Sequence, residues 1–248
     1  MILPLFLLLQ TSSAPFPDAA QQRFEACAAL AKSDPAKAVG EADAWRTGGG
    51  GLPARMCLGL AYSEQERWGP AAVAFEQAAR EAEIQRDGRA ATLWVQAGNA
   101  ALAGDDPAMA RNHFDRALAL PVMSDAMRGE VYLDHARAQV AVGDLAAARS
   151  DMDHAVALVP GDPLAWLLSA TLARRQNDVA RATKDIAEAV RLAPGEAPIA
   201  YEEGNIAALA GMMDKARAAW ARAVALAPNS DAGQAAALML KGGDGGKP

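Results

Sequence analysis

Apolar positions in the second half of the chain recur in one phrase. His154-Ala155-Val156-Ala157-Leu158-Val159-Pro160 is followed by Glu188-Ala189-Val190-Arg191-Leu192-Ala193-Pro194 and by Arg222-Ala223-Val224-Ala225-Leu226-Ala227-Pro228. The closing prolines lie 34 residues apart. Ahead of each runs a small–large–small pattern: Ala148-x-x-x-Met152-x-x-Ala155, Ala182-x-x-x-Ile186-x-x-Ala189 and Ala216-x-x-x-Trp220-x-x-Ala223. Spacings of four and three put such residues on one helical face. Proline cannot continue a helix and biases the preceding residue away from one, so each phrase predicts a helix that stops there. Asp162-Pro163, Asp34-Pro35 and Asp106-Pro107 each predict a helix start, an N-cap followed by proline at the first helical position. Gly143-Asp144 marks a turn inside the unit that begins near Gly129.

The same pattern runs earlier, now with more of its frame visible. Leu58-Gly59-x-x-Tyr62 precedes Ala71-x-x-x-Phe75-x-x-Ala78, and Trp94-x-x-Ala97-Gly98 precedes Ala110-x-x-x-Phe114-x-x-Ala117. Later units keep Tyr132 and Ala136, Trp166 and Ala170, and Gly204 at the corresponding places. In these residues the chain resembles the tetratricopeptide repeat (TPR), a helix–turn–helix unit of about 34 residues. The resemblance implies an all-α fold, an α-solenoid of stacked helical pairs wound as a right-handed superhelix. A small residue in the first helix lets the second approach closely, and the large residue fills the gap between units.

The resulting division gives 52–90, 91–128, 129–162, 163–196 and 197–229 as five repeats. Residues 19–51 form a degenerate helical pair, with Phe24, Cys27, Ala28 and Ala31 in its first helix and Ala38, Ala42 and Trp45 in its second. Atypical end units are expected because they cap a stack. A capping helix follows at 230–241, then a tail expected to be disordered at 242–248.

Composition agrees: hydrophobic content is 52% and aromatic content only 5%, with Ala, the best helix former, dominant. The formal net charge is -6, and no Lys/Arg cluster appears, which argues against nucleic acid and anionic lipid as partners. The apolar start, Met1–Leu9, is far shorter than the roughly 20 residues that span a bilayer. With Ser12-Ser13-Ala14 behind it, 1–14 reads as a signal peptide, which predicts a periplasmic or secreted protein; a cytoplasmic protein with a frayed apolar start is the alternative. Cys27 and Cys57 are either bridged, as export would favour, or two buried thiols.

No catalytic signature emerges. His113, His135 and His154 lack metal-ligand spacing and read as structural or solvated; no metal or cofactor is expected. Gly48–Gly51 lacks the Lys-Ser/Thr of a phosphate loop. The family's ligands lie along a concave face of first helices. That resemblance implies a groove carrying Gln96, Asn99, Asp134, Arg137, Thr171, Arg174, Arg175, Tyr201, Glu202 and Asn205. Asn99 and Asn205 each follow a Gly at one repeat position and offer a peptide backbone both donor and acceptor. The three arginines offer bidentate partners for carboxylates. An ordinary solvated face with ion pairs inside the groove is the alternative. The Lys/Asn set by which some members clamp a C-terminal carboxylate is incomplete here, Met56, Leu60 and Val95 standing at matching positions. The expected role is a non-enzymatic scaffold for an unidentified protein or peptide; the alternatives are a structural component of an envelope assembly that self-associates through Leu238-Met239-Leu240 or the N-terminal apolar segment, and the accessory domain of an enzyme.

Overall fold

The computed structural model describes residues 17–242, so the expected signal segment and all but the first residue of the expected tail lie outside the described residues. Every element among the described residues is an α-helix. The described residues form two compact units, divided between Ser124 and Asp125. The first holds α1 (Asp18–Ser33), α2 (Pro35–Thr47), α3 (Gly51–Glu64), α4 (Trp68–Gln85), α5 (Ala90–Ala103) and α6 (Pro107–Leu118). The second holds α7 (Asp125–Val142), α8 (Leu145–Leu158), α9 (Pro163–Arg175), α10 (Val179–Leu192), α11 (Ala197–Leu209), α12 (Met213–Leu226) and α13 (Asp231–Gly242).

Five helix starts are fixed by acidic caps. The side chains of Asp34, Asp106, Asp144, Asp162 and Asp178 each accept a hydrogen bond from a backbone N–H in the first turn that follows. The turn between the two helices of a repeat uses one left-handed residue at one register position. It is Glu66, Asp105, Gly143, Asn177 and Gly211 in the five repeats, with φ between 54° and 89°. Three of these five are not glycine, which is why the turn leaves so faint a trace in the sequence.

Successive helices then bury one another's small faces. In the second unit, Leu133 and Ala136 of α7, Ala148, Met152 and Ala155 of α8, and Ala165 and Leu172 of α9 share one core. Ala170, Ala182, Ile186, Ala189, Ile199 and Ile206 form the next, reaching into α11. Ala200, Ala216, Trp220, Ala223 and Ala236 form a third, which takes in α13. The first helices α9 and α11 thus each serve two cores, so their pairs could not bury their apolar surface alone.

The small residue of the first helix and the large one of the second are matched. Where the large residue is aromatic the small one is glycine: Gly59 with Phe75, Gly98 with Phe114, Gly204 with Trp220. A methyl group added at those glycines would lie 2.6, 2.5 and 2.3 Å from the ring, well inside van der Waals contact. Where the large residue is Met152 or Ile186, the partner is Ala136 or Ala170, and both alanines are fully buried. Ring thickness against backbone therefore sets the choice between glycine and alanine.

At the start of the chain, α1 is fastened to α3 by a disulfide between Cys27 and Cys57, their Cα atoms 6.1 Å apart and both side chains buried. At the other end, α13 occupies the register of a further first helix. Its Leu238 stands where the repeats carry Gly or Ala and is 67% exposed.

Candidate functional site

The candidate groove residues fall on first helices: Gln96 and Asn99 on α5, Asp134 and Arg137 on α7, Thr171, Arg174 and Arg175 on α9, and Tyr201, Glu202 and Asn205 on α11. Positions i, i+3, i+4 and i+7 of one helix share a face, and α9 presents Leu168, Thr171, Leu172 and Arg175 in that register.

In the second unit the side chains divide into committed and uncommitted groups. Glu202 is buried and holds Arg174 of α9, whose Nε donates to Glu202 Oε1 at 2.6 Å. Its other oxygen accepts from Asn205 Nδ2 at 3.2 Å. Asn205 Oδ1 in turn accepts from Trp220 Nε1 at 3.1 Å. The amide that the sequence offered to a peptide backbone is thus spent on an internal chain, Arg174–Glu202–Asn205–Trp220, which ties α9 to α11 and α12. Arg174 is likewise withdrawn from service as a carboxylate ligand, because releasing it would strand a buried anion. Asp134 accepts from Arg137 Nη1 at 2.9 Å, an exposed pair of the kind that contributes at most about 1 kcal/mol. Thr171 donates its hydroxyl to Leu167 O at 2.9 Å. Tyr201 packs partly buried against the α11–α13 core.

Arg175 differs from its neighbour. It is exposed, and among the described residues no carboxylate lies within ion-pair distance of it. It lines a cleft between α7 and α9 with Arg137, Val140, Thr171 and Leu172, and Met152 of α8 lies at the bottom, with a volume of about 160 Å³. In the first unit Asn99 is exposed, whereas the Oε1 of Gln96 is buried without a hydrogen-bond partner. A wider hollow of about 410 Å³ lies at the α11–α12 turn, but its walls are five consecutive residues, Gly211–Lys215, without converging polar groups.

A second polar system lies between the helices. Arg149 of α8 donates to Ser169 Oγ at 2.8 Å, and Ser169 donates to Asp185 Oδ2 at 2.5 Å. Arg181 pairs with both Asp185, at 3.2 Å, and Asp153. Burial pushes the Arg149 guanidinium pKa down and the Asp153 carboxylate pulls it back. In the preceding repeat the equivalent positions hold His135 and Asp151, with Nδ1 3.0 Å from Oδ2 and both residues buried. His113 stacks near Trp94, ring centroids 5.4 Å apart, and burial lowers its pKa, so it is neutral at pH 7. His154 stacks on Tyr132 at 4.8 Å. These groups cross-link helices; none faces the cleft. Only position in the repeat, the same for Asp151 and Asp185, could have pointed to the system from sequence.

No protein-family model matches the chain, and no curated protein matches it. Solved structures do. PilW, described as a widely conserved type IV pilus biogenesis factor, superposes with a TM-score of 0.70 at 18% identity, over 89% of this chain and 99% of that one. PilF of Pseudomonas aeruginosa gives 0.66 at 14% identity, over 88% and 97%. YrrB, described as a TPR protein with an unusual peptide-binding site, gives 0.58 at 18% identity, over 78% and 95%. At such identities the likeness concerns the fold, and that fold is the TPR α-solenoid.

Proposed function

We propose that the chain is a non-enzymatic adaptor that holds a protein or peptide segment against the first-helix face of its repeats, after export to the periplasm. The observation that carries the reading is the α7–α9 cleft, where an unpaired Arg175 stands beside an apolar floor on the face that TPR proteins use for ligands. The description of YrrB as a peptide binder lends support by analogy of fold. Export draws support from the apolar start and from the Cys27–Cys57 bridge, a bond that persists in oxidising compartments. Among the described residues no helix is long and apolar enough to cross a membrane.

Photo-crosslinking in cells tests the reading. A photoreactive residue replaces Thr171 on the first-helix face or the exposed Lys184 of α10. A discrete partner crosslinked from Thr171 and not from Lys184 is the expected result. Equal yields at both positions, or none at Thr171, would overturn it. A second reading, self-association at the C-terminal end, is favoured by the exposed Leu238 and Met239 of α13. Sedimentation separates the two: a monomer at micromolar concentration removes self-association.

A further inference from the structure

We propose that the outer face of α13 docks a second copy of this chain, the two α13 helices lying antiparallel across a twofold axis. The proposal rests on the self-association reading and fixes its geometry; it does not depend on the adaptor reading.

The stack is closed to a further repeat at this end. Position 238 lies 34 residues beyond Gly204, at the place that faces the second helix of a repeat. At Gly204 one added methyl group would already lie 2.3 Å from Trp220. Leu238 puts a whole isobutyl group there, so a second helix of the repeat type would be held off. Leu240 packs inward on the α11–α12 core, whereas Leu238 points outward and is 67% exposed. The face therefore suits a shallower partner than the repeat itself supplies.

That face is self-complementary. Asp231, Gln234, Leu238 and Lys241 are all exposed and recur at spacings of three, four and three, which puts them on one stripe of the helix. The spacing reads the same in both directions. A twofold axis through its centre sets Asp231 opposite Lys241 of the second copy and Gln234 opposite Leu238, and each contact is made twice, as an isologous interface requires. Gln234 already gives its amide to Asn229 O at 3.2 Å, so what it offers the leucine is its aliphatic stem. A parallel pairing would bring acid to acid and base to base. Each charge also suits the dipole of its own helix, Asp231 in the first turn and Lys241 in the last.

Size sets the strength. The helix has 12 residues, and one stripe of that length covers less than the roughly 800 Å² per partner of a standard interface. The dimer is accordingly weak, forming at micromolar concentration.

Sedimentation of the full chain over the micromolar range tests the pairing. The parent is expected to pass from monomer to dimer as concentration rises. Asp231→Lys and Lys241→Asp each turn both end contacts from attraction to repulsion, so each alone is expected to weaken the dimer about tenfold or more. Mixed in equal amounts, the two variants present opposite charges at both contacts and are expected to associate as the parent does; the variant carrying both substitutions is expected to recover as well. Leu238→Ala is expected to weaken the dimer about tenfold with an unchanged circular-dichroism spectrum. Lys184→Asp on α10 is the control, expected to stay within about twofold of the parent. A chain that remains monomeric overturns this proposal and the self-association reading together, and leaves the adaptor reading standing. A dimer that either charge reversal alone changes by less than about twofold, or that the mixture fails to restore, overturns the antiparallel pairing while self-association survives.

Discussion

Two identical substitutions are expected to act in opposite directions. Gly40 and Gly98 both lie inside helices of the first unit, and alanine in either place gains up to about 1 kcal/mol of helix propensity. At Gly40 an added methyl group meets nothing within 4 Å. At Gly98 it lies 2.5 Å from Phe114 Cε1, 2.7 Å from Cζ and 2.8 Å from Cδ1. Ordinary carbon contacts are about 3.5–4.0 Å, so ring and backbone must separate by about 1 Å. Phe114 is fully buried, so its ring cannot swing out to solvent without opening the core. Overpacking of this kind costs about 1–3 kcal/mol. The difference between the two variants, in which propensity cancels, is therefore about 1–3 kcal/mol. For a domain of 150–250 residues that corresponds to roughly 2–12 °C in Tm. Thermal melts followed at 222 nm on the full chain measure it, with Gly40→Ala above the parent and Gly98→Ala below it. The double variant Gly98→Ala/Phe114→Leu is expected to lose less than the sum of its singles, because the smaller side chain relieves the clash. If Gly98→Ala raised Tm as much as Gly40→Ala, the close approach of α5 and α6 would be refuted, and with it the reason for glycine there.

Two further outcomes follow from particular residues. Replacing Cys27 and Cys57 by alanine opens a loop of separation 30, for which the chain-entropy relation gives about 4 kcal/mol; hydrogen exchange is expected to rise in α1 and α2 and to stay unchanged in α7 to α13, and uniform protection would contradict a local staple. Glu130 has its pKa raised by burial first and then by Asp134 and Asp162. A carboxyl whose folded pKa exceeds its unfolded value favours folding below that unfolded value, about 4.3, and loses the benefit as pH rises through the folded pKa. Glu130→Gln is therefore expected to be more stable than the parent at pH 7, with the gap closing near pH 4 in urea titrations; a gap that grows on acidification would reverse the sign of the argument.

How legible the molecule was in its sequence depended on the range of the interaction. The repeat could be read because small–large–small spacing and a terminal proline act within one helix, and Asp-Pro pairs cap the next. The left-handed residue of the inner turn is legible only at Gly143: Glu66, Asp105 and Asn177 adopt a conformation that only glycine advertises, and Gly211 lacks the Asp that follows Gly143. The groove residues were harder. Arg174 and Arg175 are adjacent and chemically identical, yet one is bound to a buried carboxylate 28 positions away and the other is free. Asn99 and Asn205 share a repeat position, but only the second meets a tryptophan indole. Such differences arise from neighbouring helices, and no local pattern encodes them.

The covalent closure at Cys27–Cys57 gives the two termini unequal mechanical standing. Stacked repeats breathe inward from their loosest end; in the first unit α1 is riveted to α3, whereas in the second α13 is held only by packing and hydrogen bonds such as those of Ser230. Fraying therefore enters through α13 and α12 before it touches α1. On heating, the second unit would loosen at its outer helix before the first loosens at its own, and the Arg175 cleft lies in the unit without the covalent stop.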